Sequence, residues 1–274
     1  MLSKAIVVYK PVNECLTLTK RAVSTLRRSG IETDAVSVDD LPYSRKNEVR
    51  YDLVIPIGGD GTFLRSVHEL VKDEDQLVYL YPCGRRNFFY EKPELPIEEA
   101  LQNVLEGKHV VELIPVYRVS YENTHFPFLN DVVIVNSNLG KTGKYVVEVS
   151  SSGLKSSYRV EGDGIIISTP YGSSGHNLSA GGPLVVPQLE ALVLTHLSPM
   201  TLGFPSIVIP ASAKVTVRVQ GVFNLYSDGI YLKTLERGST VEVTRDRGYI
   251  RVARINPCRD ILDIVIKQRS HHAG

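Results

Sequence analysis

Three glycines, one carboxylate and one hydroxyl fill five consecutive positions, Gly58-Gly59-Asp60-Gly61-Thr62. They join the apolar run Tyr51 to Ile57 to a helix-compatible segment, Thr62 to Val71. At a strand-to-helix junction glycine permits positive φ and lets a ligand approach bare backbone, while the following helix offers unpaired N–H groups to an anion. A phosphate suits such a loop. The plainer reading is a tight turn that needs glycine for geometry alone. Asp60 weighs against it, because a carboxylate inside an anion-binding turn is unfavourable unless it handles a metal or a proton.

Two further clusters lie in the second half. Asn130 and Asp131 stand side by side in Phe128-Leu129-Asn130-Asp131-Val132-Val133-Ile134, at the front of an apolar strand. Successive strand residues face opposite sides. Either one of the pair reaches a ligand while the other braces the loop, or both act if the strand begins there; an Asx-type turn is the plain alternative. The segment from Gly162 to Pro183 is denser in polar groups. Its strand, Gly164 to Ser168, runs into a loop of glycines and hydroxyls, Thr169 to Asn177, and then Ser179-Ala180-Gly181-Gly182-Pro183. Hydroxyls and backbone amides at this density suit a polar ligand such as a nucleotide. Apolar brackets, Ile165-Ile166-Ile167 before and Leu184-Val185-Val186 after, argue against a flexible linker.

These clusters need elements to hold them. Lys4 to Tyr9 and Ile31 to Val38 read as strands, with a helix from Asn13 to Arg28 between them, Asn13 as its N-cap and Gly30 as its stop. Tyr51 to Ile57 reads as a buried strand, Gln76 to Tyr81 as another, and Pro96 to Glu106 as a helix with proline at its start. Strands alternating with helices predict an α/β N-terminal domain with a mostly parallel, Rossmann-like sheet over 1–109. The Gly-Asp loop then sits at the C-terminal end of a strand, where open α/β sheets bind ligands. From Val110 the texture changes to many short strands with turn signals, predicting a β-rich domain of sandwich or barrel type over 110–257. The tail, 258–274, is too apolar around Ile261 to Ile266 to be free, and is expected to pack back on the first domain.

Composition narrows the partners. With 31 basic against 30 acidic residues the net charge is +1, so bulk electrostatics point to neither nucleic acid nor membrane. The apolar run at the N-terminus is too short for a signal sequence or a membrane span, and a cytoplasmic protein is expected. Cys15, Cys83 and Cys258 are odd in number and free of CxxC pairing, so buried thiols are expected rather than a disulfide or a zinc site.

Taken in order, Gly58-Gly59-Asp60-Gly61-Thr62, Asn130-Asp131, Asp163-Gly164, Ser168-Thr169-Pro170-Tyr171-Gly172-Ser173-Ser174 and Ser179-Ala180-Gly181-Gly182-Pro183 resemble the motif set of the NAD kinases of archaeal or bacterial type. Ser227-Asp228-Gly229 is similar to a later Asp-Gly turn of that family. The first motif is shared with lipid kinases; the Thr-Pro-x-Gly-Ser segment with its downstream Gly-Gly-Pro singles out NAD kinases. The resemblance implies phosphorylation of the adenosine 2′-hydroxyl of NAD by ATP or polyphosphate, giving NADP, with Mg2+ or another divalent metal. It also implies an α/β domain followed by a β-rich one, and assembly as a homodimer or homotetramer. Asp60 matches the family's proposed general base, and Gly59, Gly61 and Thr62 match its phosphate-side loop. Asn130 and Asp131 match the dipeptide at the adenine and its sugar, and Asp163 an acidic residue near the nicotinamide end. Ser174, Gly175, His176 and Ser179 fall where the family binds the dinucleotide, and Phe88 and Phe89 match an apolar pair lining the NAD pocket. No protein ligand for the metal is singled out.

Three positions depart from the pattern. Asn130-Asp131 replaces the usual Asn-Glu, one methylene shorter with the charge kept. Gly172-Ser173-Ser174-Gly175-His176 replaces Gly-Ser-Thr-Ala-Tyr, losing a phenol, although His176 still stacks and hydrogen-bonds. Gly84-Arg85-Arg86-Asn87-Phe88 replaces Gly-x-Leu-Gly-Phe, and its two arginines either grip phosphate oxygens or form a solvated loop face. Two other functions stay open on these grounds: a kinase of another acceptor such as a lipid, and an NAD(P)-binding regulatory protein without turnover. Retention of Asp60, Asp131, Asp163 and Asp228 favours the kinase.

Overall fold

The structure, a computed structural model, describes residues 2–84, 88–91, 94–138, 140–201 and 203–256. The Arg85-Arg86-Asn87 loop, Cys258 and the tail 258–274 lie outside the described residues. The chain divides into two compact units, one made of the chain up to Ile114 together with the chain from Gly248 onward, the other Pro115–Arg247. The divisions fall at 114/115 and 247/248, against the 109 and 257 expected from texture.

The first unit begins with β1 (Lys4–Tyr9), α1 (Asn13–Arg28) and β2 (Glu32–Ser37). It continues with β3 (Leu53–Gly58), α2 (Asp60–Leu70), β4 (Leu77–Tyr79), β5 (Tyr81–Pro82) and α3 (Ile97–Leu105). β1 pairs in parallel with both β2 and β3, and β3 in parallel with β4 and then β5. Strand β3 is buried throughout, which explains its unbroken apolar run. Pro56, which has no N–H to give, falls in the gap where β3 leaves β4 after Val54 and takes up β5 at Ile57.

Helix α1 buries Cys15, Thr19, Ala22 and Leu26, a 3.6-residue stripe. Its N-cap is Val12 rather than Asn13, with no side-chain cap bond. Its end is a Schellman turn: Gly30 takes φ +80°, the Gly30 N–H donates to Arg27 O, and the Ile31 N–H donates to Leu26 O. Helix α2 starts two residues earlier than its apolar pattern predicts, which brings Asp60 into the first turn.

The second unit is β-rich. Its strands are β6 (Val110–Tyr121, which begins in the first unit), β7 (Thr124–Phe128), β8 (Asp131–Asn136), β9 (Gly143–Ser151), β10 (Leu154–Gly162) and β11 (Gly164–Ser168). They are followed by β12 (Ala191–Leu197), β13 (Ile207–Pro210), β14 (Lys214–Val219), β15 (Phe223–Ser227), β16 (Ile230–Leu235) and β17 (Thr240–Arg254). One antiparallel sheet runs β13-β12-β11-β8-β15-β16. A second face is laid down by β10, β9, β14 and the start of β17, also antiparallel. Inward residues of both, among them Ile134, Ile165 and Phe223 from the first and Tyr145, Val217 and Val241 from the second, share one core, the mark of a sandwich. Strand β17 pairs antiparallel with β14 at its start and parallel with β4 at its end, so the sheet is mixed rather than purely parallel.

The cysteines depart from expectation. Cys15, in the first turn of α1, and Cys83, just after β5, are joined as a disulfide rather than held as separate buried thiols. The bond spans 68 residues of sequence and lies inside the first unit, where both residues are buried. Closing a loop of that length restricts the unfolded chain. A Cys15→Ser/Cys83→Ser double variant is expected to lose about 2–4 kcal/mol of unfolding free energy in urea titrations. Alkylation of denatured, unreduced protein should leave both of these residues unlabelled; labelling of all three cysteines without a reductant removes the bond from the structure.

Candidate active site

Asp60 is organised by its backbone surroundings. Its carboxylate accepts the Phe88 N–H on one oxygen at 2.9 Å and the Phe89 N–H on the other at 3.0 Å. The neighbouring Tyr90 hydroxyl donates to Gly59 O at 3.0 Å. Complete burial pushes the Tyr90 phenol far above its ordinary range, with the Asp60 charge acting in the same direction, so Tyr90 serves as a neutral donor. Residues 88–90 therefore form a strap across the loop. The carboxylate that was unexplained as part of an anion turn is the anchor of this strap, and it also lies in the favourable first turn of α2.

None of the loop glycines uses positive φ, and close approach requires glycine at Gly58. Gly58, Gly59 and Gly61 are absent from the positive-φ positions, and Gly59 is extended at φ −117°. A Cβ on Gly58 would overlap the Thr62 side chain, whereas one on Gly61 would meet nothing within 4 Å. Gly61 thus leaves bare backbone facing open space. That space is a cavity of about 1090 Å³, lined by Gly59, Asp60, Gly61 and Thr62 with Lys10, Arg65, Asp39 and Cys83. Lys10 follows the end of β1 and Arg65 lies one turn along α2; sequence reasoning missed both. Their signal was position, a cation just past a strand end and another one helical turn after the glycines.

Phe88 and Phe89 are buried, at 6% and 1% exposure. Their rings pack against each other, 5.7 Å apart and edge-on, and Phe89 packs on Phe63 of α2 at 4.6 Å. They anchor the strap on α2, and neither lines the cavity beside Gly59 to Thr62.

In the second unit the Asn130-Asp131 and Gly162–Pro183 clusters come together. Strand β8 begins at Asp131, which pairs with Ser168 of β11, so Asn130 stands just ahead of the strand. The Thr169 N–H donates to Asn130 O at 2.8 Å, and the Thr169 hydroxyl donates to Leu129 O at 2.5 Å. A Cβ on Gly172 would overlap the Asn130 peptide, which makes glycine obligatory there. Asn130 Oδ1 is buried and accepts no hydrogen bond from the described residues.

Asp228 clamps this junction from about a hundred residues away. Its carboxylate accepts the N–H groups of Leu129, Asn130 and Asp131 at 2.9, 2.8 and 3.2 Å. Asp228 and Gly229 form the β15–β16 hairpin turn with φ of +47° and +78°, the pattern of a type I′ turn. Asp131 is held largely out of water, and that burial, with the Asp228 charge beside it, raises its carboxyl to about 7.

The segment after β11 sorts its polar residues by face. Ser173 and Asn177 point inward: the Ser173 hydroxyl donates to Pro170 O or Val185 O, and the Asn177 amide bridges Ser173 O and Pro183 O. A Cβ on Gly182 would overlap Asn177, so Gly-Gly-Pro is explained by packing. Gly175, His176 and Ser179 are exposed and Ser174 is half-buried, which leaves these four accessible to a ligand.

Asp163 lies apart from them. It precedes β11, at the opposite end from Ser168, and a five-residue strand is about 16 Å long. Glycines bracket it because a Cβ on Gly162 would strike Leu197 O and one on Gly164 would strike Ile134 O. The Gly164 carbonyl accepts the Tyr145 hydroxyl at 2.6 Å, and that hydroxyl also meets His196 Nδ1 at 2.8 Å. Burial lowers His196 to about 4, so it is neutral; with the Tyr145 proton given to Gly164, the network assigns the ring proton to Nδ1.

Comparison with known proteins gives the family and the fold. Residues 129–255 match the model of the ATP-NAD kinase C-terminal domain. The NAD kinase of Aeropyrum pernix is 31% identical over 247 residues, covering 86% of this chain and 87% of that protein. The crystal structure of an NAD kinase from Archaeoglobus fulgidus in complex with ATP superposes with a TM-score of 0.77 at 24% identity, over 97% of this chain and 99% of that one. Yeast NADH kinase complexed with NADH superposes with a TM-score of 0.81 at 18% identity, over 98% and 88%. Identity sustained over nearly the whole of both chains makes this protein a member of the NAD kinase family, enzymes that phosphorylate NAD.

Proposed function

We propose that this chain transfers the terminal phosphoryl group of ATP to the 2′-hydroxyl of the adenosine ribose of NAD, with Asp60 as the general base. The observation that carries it is the Asp60 carboxylate, fixed by two amides at the head of α2 and lining a cavity that also presents Lys10, Arg65 and the bare backbone of Gly61. Phosphoryl transfer asks a protein for positioning and charge neutralisation more than for covalent chemistry. At the head of α2 the Thr62 and Phe63 N–H groups donate to Gly59 O, and the Gly61 amide, on bare backbone facing the cavity, suits a phosphate oxygen. Lys10 and Arg65 add full charges. An ionised carboxylate has about four acceptor sites, and Asp60 takes the proton of the attacking hydroxyl.

Asn130 and Asp131 hold the adenosine of NAD in this reading. The buried Asn130 Oδ1 needs a donor, and an adenine amine supplies one. Asp131, near half protonation at neutral pH, both donates to and accepts from ribose hydroxyls. Ser174, Gly175, His176 and Ser179 contribute their exposed polar face, and Asp163 the nicotinamide end. Mg2+ fits the residues present: it binds through substrate phosphates and one or two carboxylates rather than a protein cage, and no cluster of three acidic, His or Cys ligands occurs among the described residues. Asp39 and Asp60 are the carboxylates lining the cavity, and the ion, when bound, would neutralise phosphate charge. Assembly as a homodimer or homotetramer in the cytoplasm belongs to the same proposal. No described helix is long and apolar enough to cross a membrane.

Incubation with NAD, ATP and Mg2+ is expected to form NADP, with polyphosphate compared as donor and diacylglycerol as acceptor; nucleotide binding without NADP under either donor overturns the assignment. Asp60→Asn, which keeps volume and removes the base, should lower kcat by about 10²- to 10⁴-fold with the thermal melt retained. Arg65→Ala should raise KM for ATP about tenfold and leave kcat within a small factor, the loss of one phosphate-directed charge. For Asp131 the sign runs against high pH. The folded protein keeps a proton that the unfolded chain releases near pH 4, so this residue's contribution falls between about pH 4 and 7 and is level above. Asp131→Asn should therefore gain stability relative to the parent across that window, by at most about 1.4 kcal/mol per pH unit. Urea titrations at pH 4.5, 6 and 7.5 measure it, and a constant difference between the two proteins refutes the burial of the carboxyl.

A further inference from the structure

Arg254, the last residue of β17, lies in the same unit as the Asp60 loop but 194 positions further along the chain. Its side chain is 2% exposed, so its charge needs carboxylates beside it, and its Nη2 is buried with no hydrogen-bond partner among the described residues. Nε donates to Glu112 Oε2 at 2.6 Å, and Glu91 Oε1 lies 4.0 Å from the same nitrogen. Two carboxylates thus balance the charge. Nη1 donates to a backbone carbonyl, that of Phe89, at 2.7 Å. Phe89 is the residue whose own N–H holds Asp60. The peptide groups on either side of its Cα are therefore fastened at both ends, the preceding one to the carboxylate and the following one to the guanidinium.

Glu91 closes the same unit. Its Oε2 accepts the N–H groups of Ile255 and Asn256, both at 3.2 Å, so the chain just after Arg254 is tied to the chain just after the strap. Two more strap contacts lead to the loop and its helix: Tyr90 hydroxyl to Gly59 O, Phe89 ring to Phe63 of α2. Arg254 is not among the residues lining the cavity beside Gly59 to Thr62. Its reach to the carboxylate is through Phe89 alone among the bonds described.

We infer that Arg254 is a positioning residue for catalysis: by gripping the Phe89 carbonyl between Glu112 and Glu91, it fixes the strap that aims the Asp60 carboxylate. The inference rests on the base role of Asp60. Lysine cannot replace arginine here, because the two contacts need two donors held at fixed separation in one plane, and an ammonium is a single point. A strap displaced by a fraction of an ångström misdirects the carboxylate, and misplacement of about 1 Å is worth about 10²-fold in rate.

The test is a double-mutant cycle in the full-length chain, read as NADP formed from NAD and ATP. Arg254→Lys should lower kcat by about ten- to a hundredfold while KM for NAD and for ATP stays within about twofold, with the thermal melt confirming a folded protein. In the Asp60→Asn background the same change should cost less than about twofold, because there is no longer a base to aim. Equal losses in the two backgrounds, or an unchanged kcat in Arg254→Lys, overturn the proposal. Should Arg254→Lys fail to fold, Glu112→Gln, which loosens the guanidinium and keeps its Phe89 contact, should show the same background dependence in weaker form; additivity there overturns it equally. Asp60→Asn measured alone separates the two failures, since near-parental turnover in that variant removes the base and leaves the hydrogen-bond geometry of Arg254 untouched.

Discussion

Two backbone amides donating to one carboxylate, Phe88 and Phe89 to Asp60, are the interaction on which the first unit's chemistry depends. A helix that begins with a bare glycine loop is an anion site with nothing to hold its shape. Asp60 supplies that shape by being at once the first residue of α2 and the landing point of a strap 28 positions away. A carboxylate is suited to both tasks because its two oxygens present about four acceptor sites. The favourable dipole of α2 and the burial of the Phe89 ring on Phe63 add to the same end.

The second unit repeats the device. Asp228 takes three consecutive amides at the front of β8, and the loop of Thr169 and Gly172 closes on the Asn130 peptide from the other side. In each unit an aspartate bonded to backbone amides fixes a second polar group that does not itself receive those amides, the cavity-facing loop in one and Asn130 Oδ1 in the other. The disulfide between Cys15 and Cys83 acts at a coarser level, tying the start of α1 to the strand end beside the Gly-Asp loop.

Much of the scaffold was legible in the sequence, because local pattern reflects local physics. Apolar runs gave β1, β3 and β11, and the Gly30 stop gave the end of α1, while Asp228-Gly229 was marked only by the family resemblance and β16 after it went unread. The ordered motifs were enough to point to the family. What stayed hidden shares one property: a side chain bonding a backbone group far along the chain. Every residue carries the same N–H and C=O, so nothing at Phe88, Phe89 or Leu129 advertised an amide that Asp60 or Asp228 would take. The same blindness covers Arg254 on the Phe89 carbonyl. The disulfide was missed for a related reason, since a spacing of 68 has no local signature. Asn177 and Gly182 erred the other way, appearing ligand-directed by composition while packing explains them. The positive φ that glycine would permit in the Gly-Asp loop is not used, and close approach requires glycine at Gly58.

The position of Arg254 has a meaning for how the protein is made. A ribosome completes the Gly58 to Thr62 loop early, yet the residue that fastens its strap is number 254 of 274. Until that point emerges, the nascent chain carries the loop with its latch open. A transcript broken or a chain cleaved between Gly229 and Arg254 therefore yields a polypeptide that contains every motif of the family and still lacks the guanidinium on the Phe89 carbonyl.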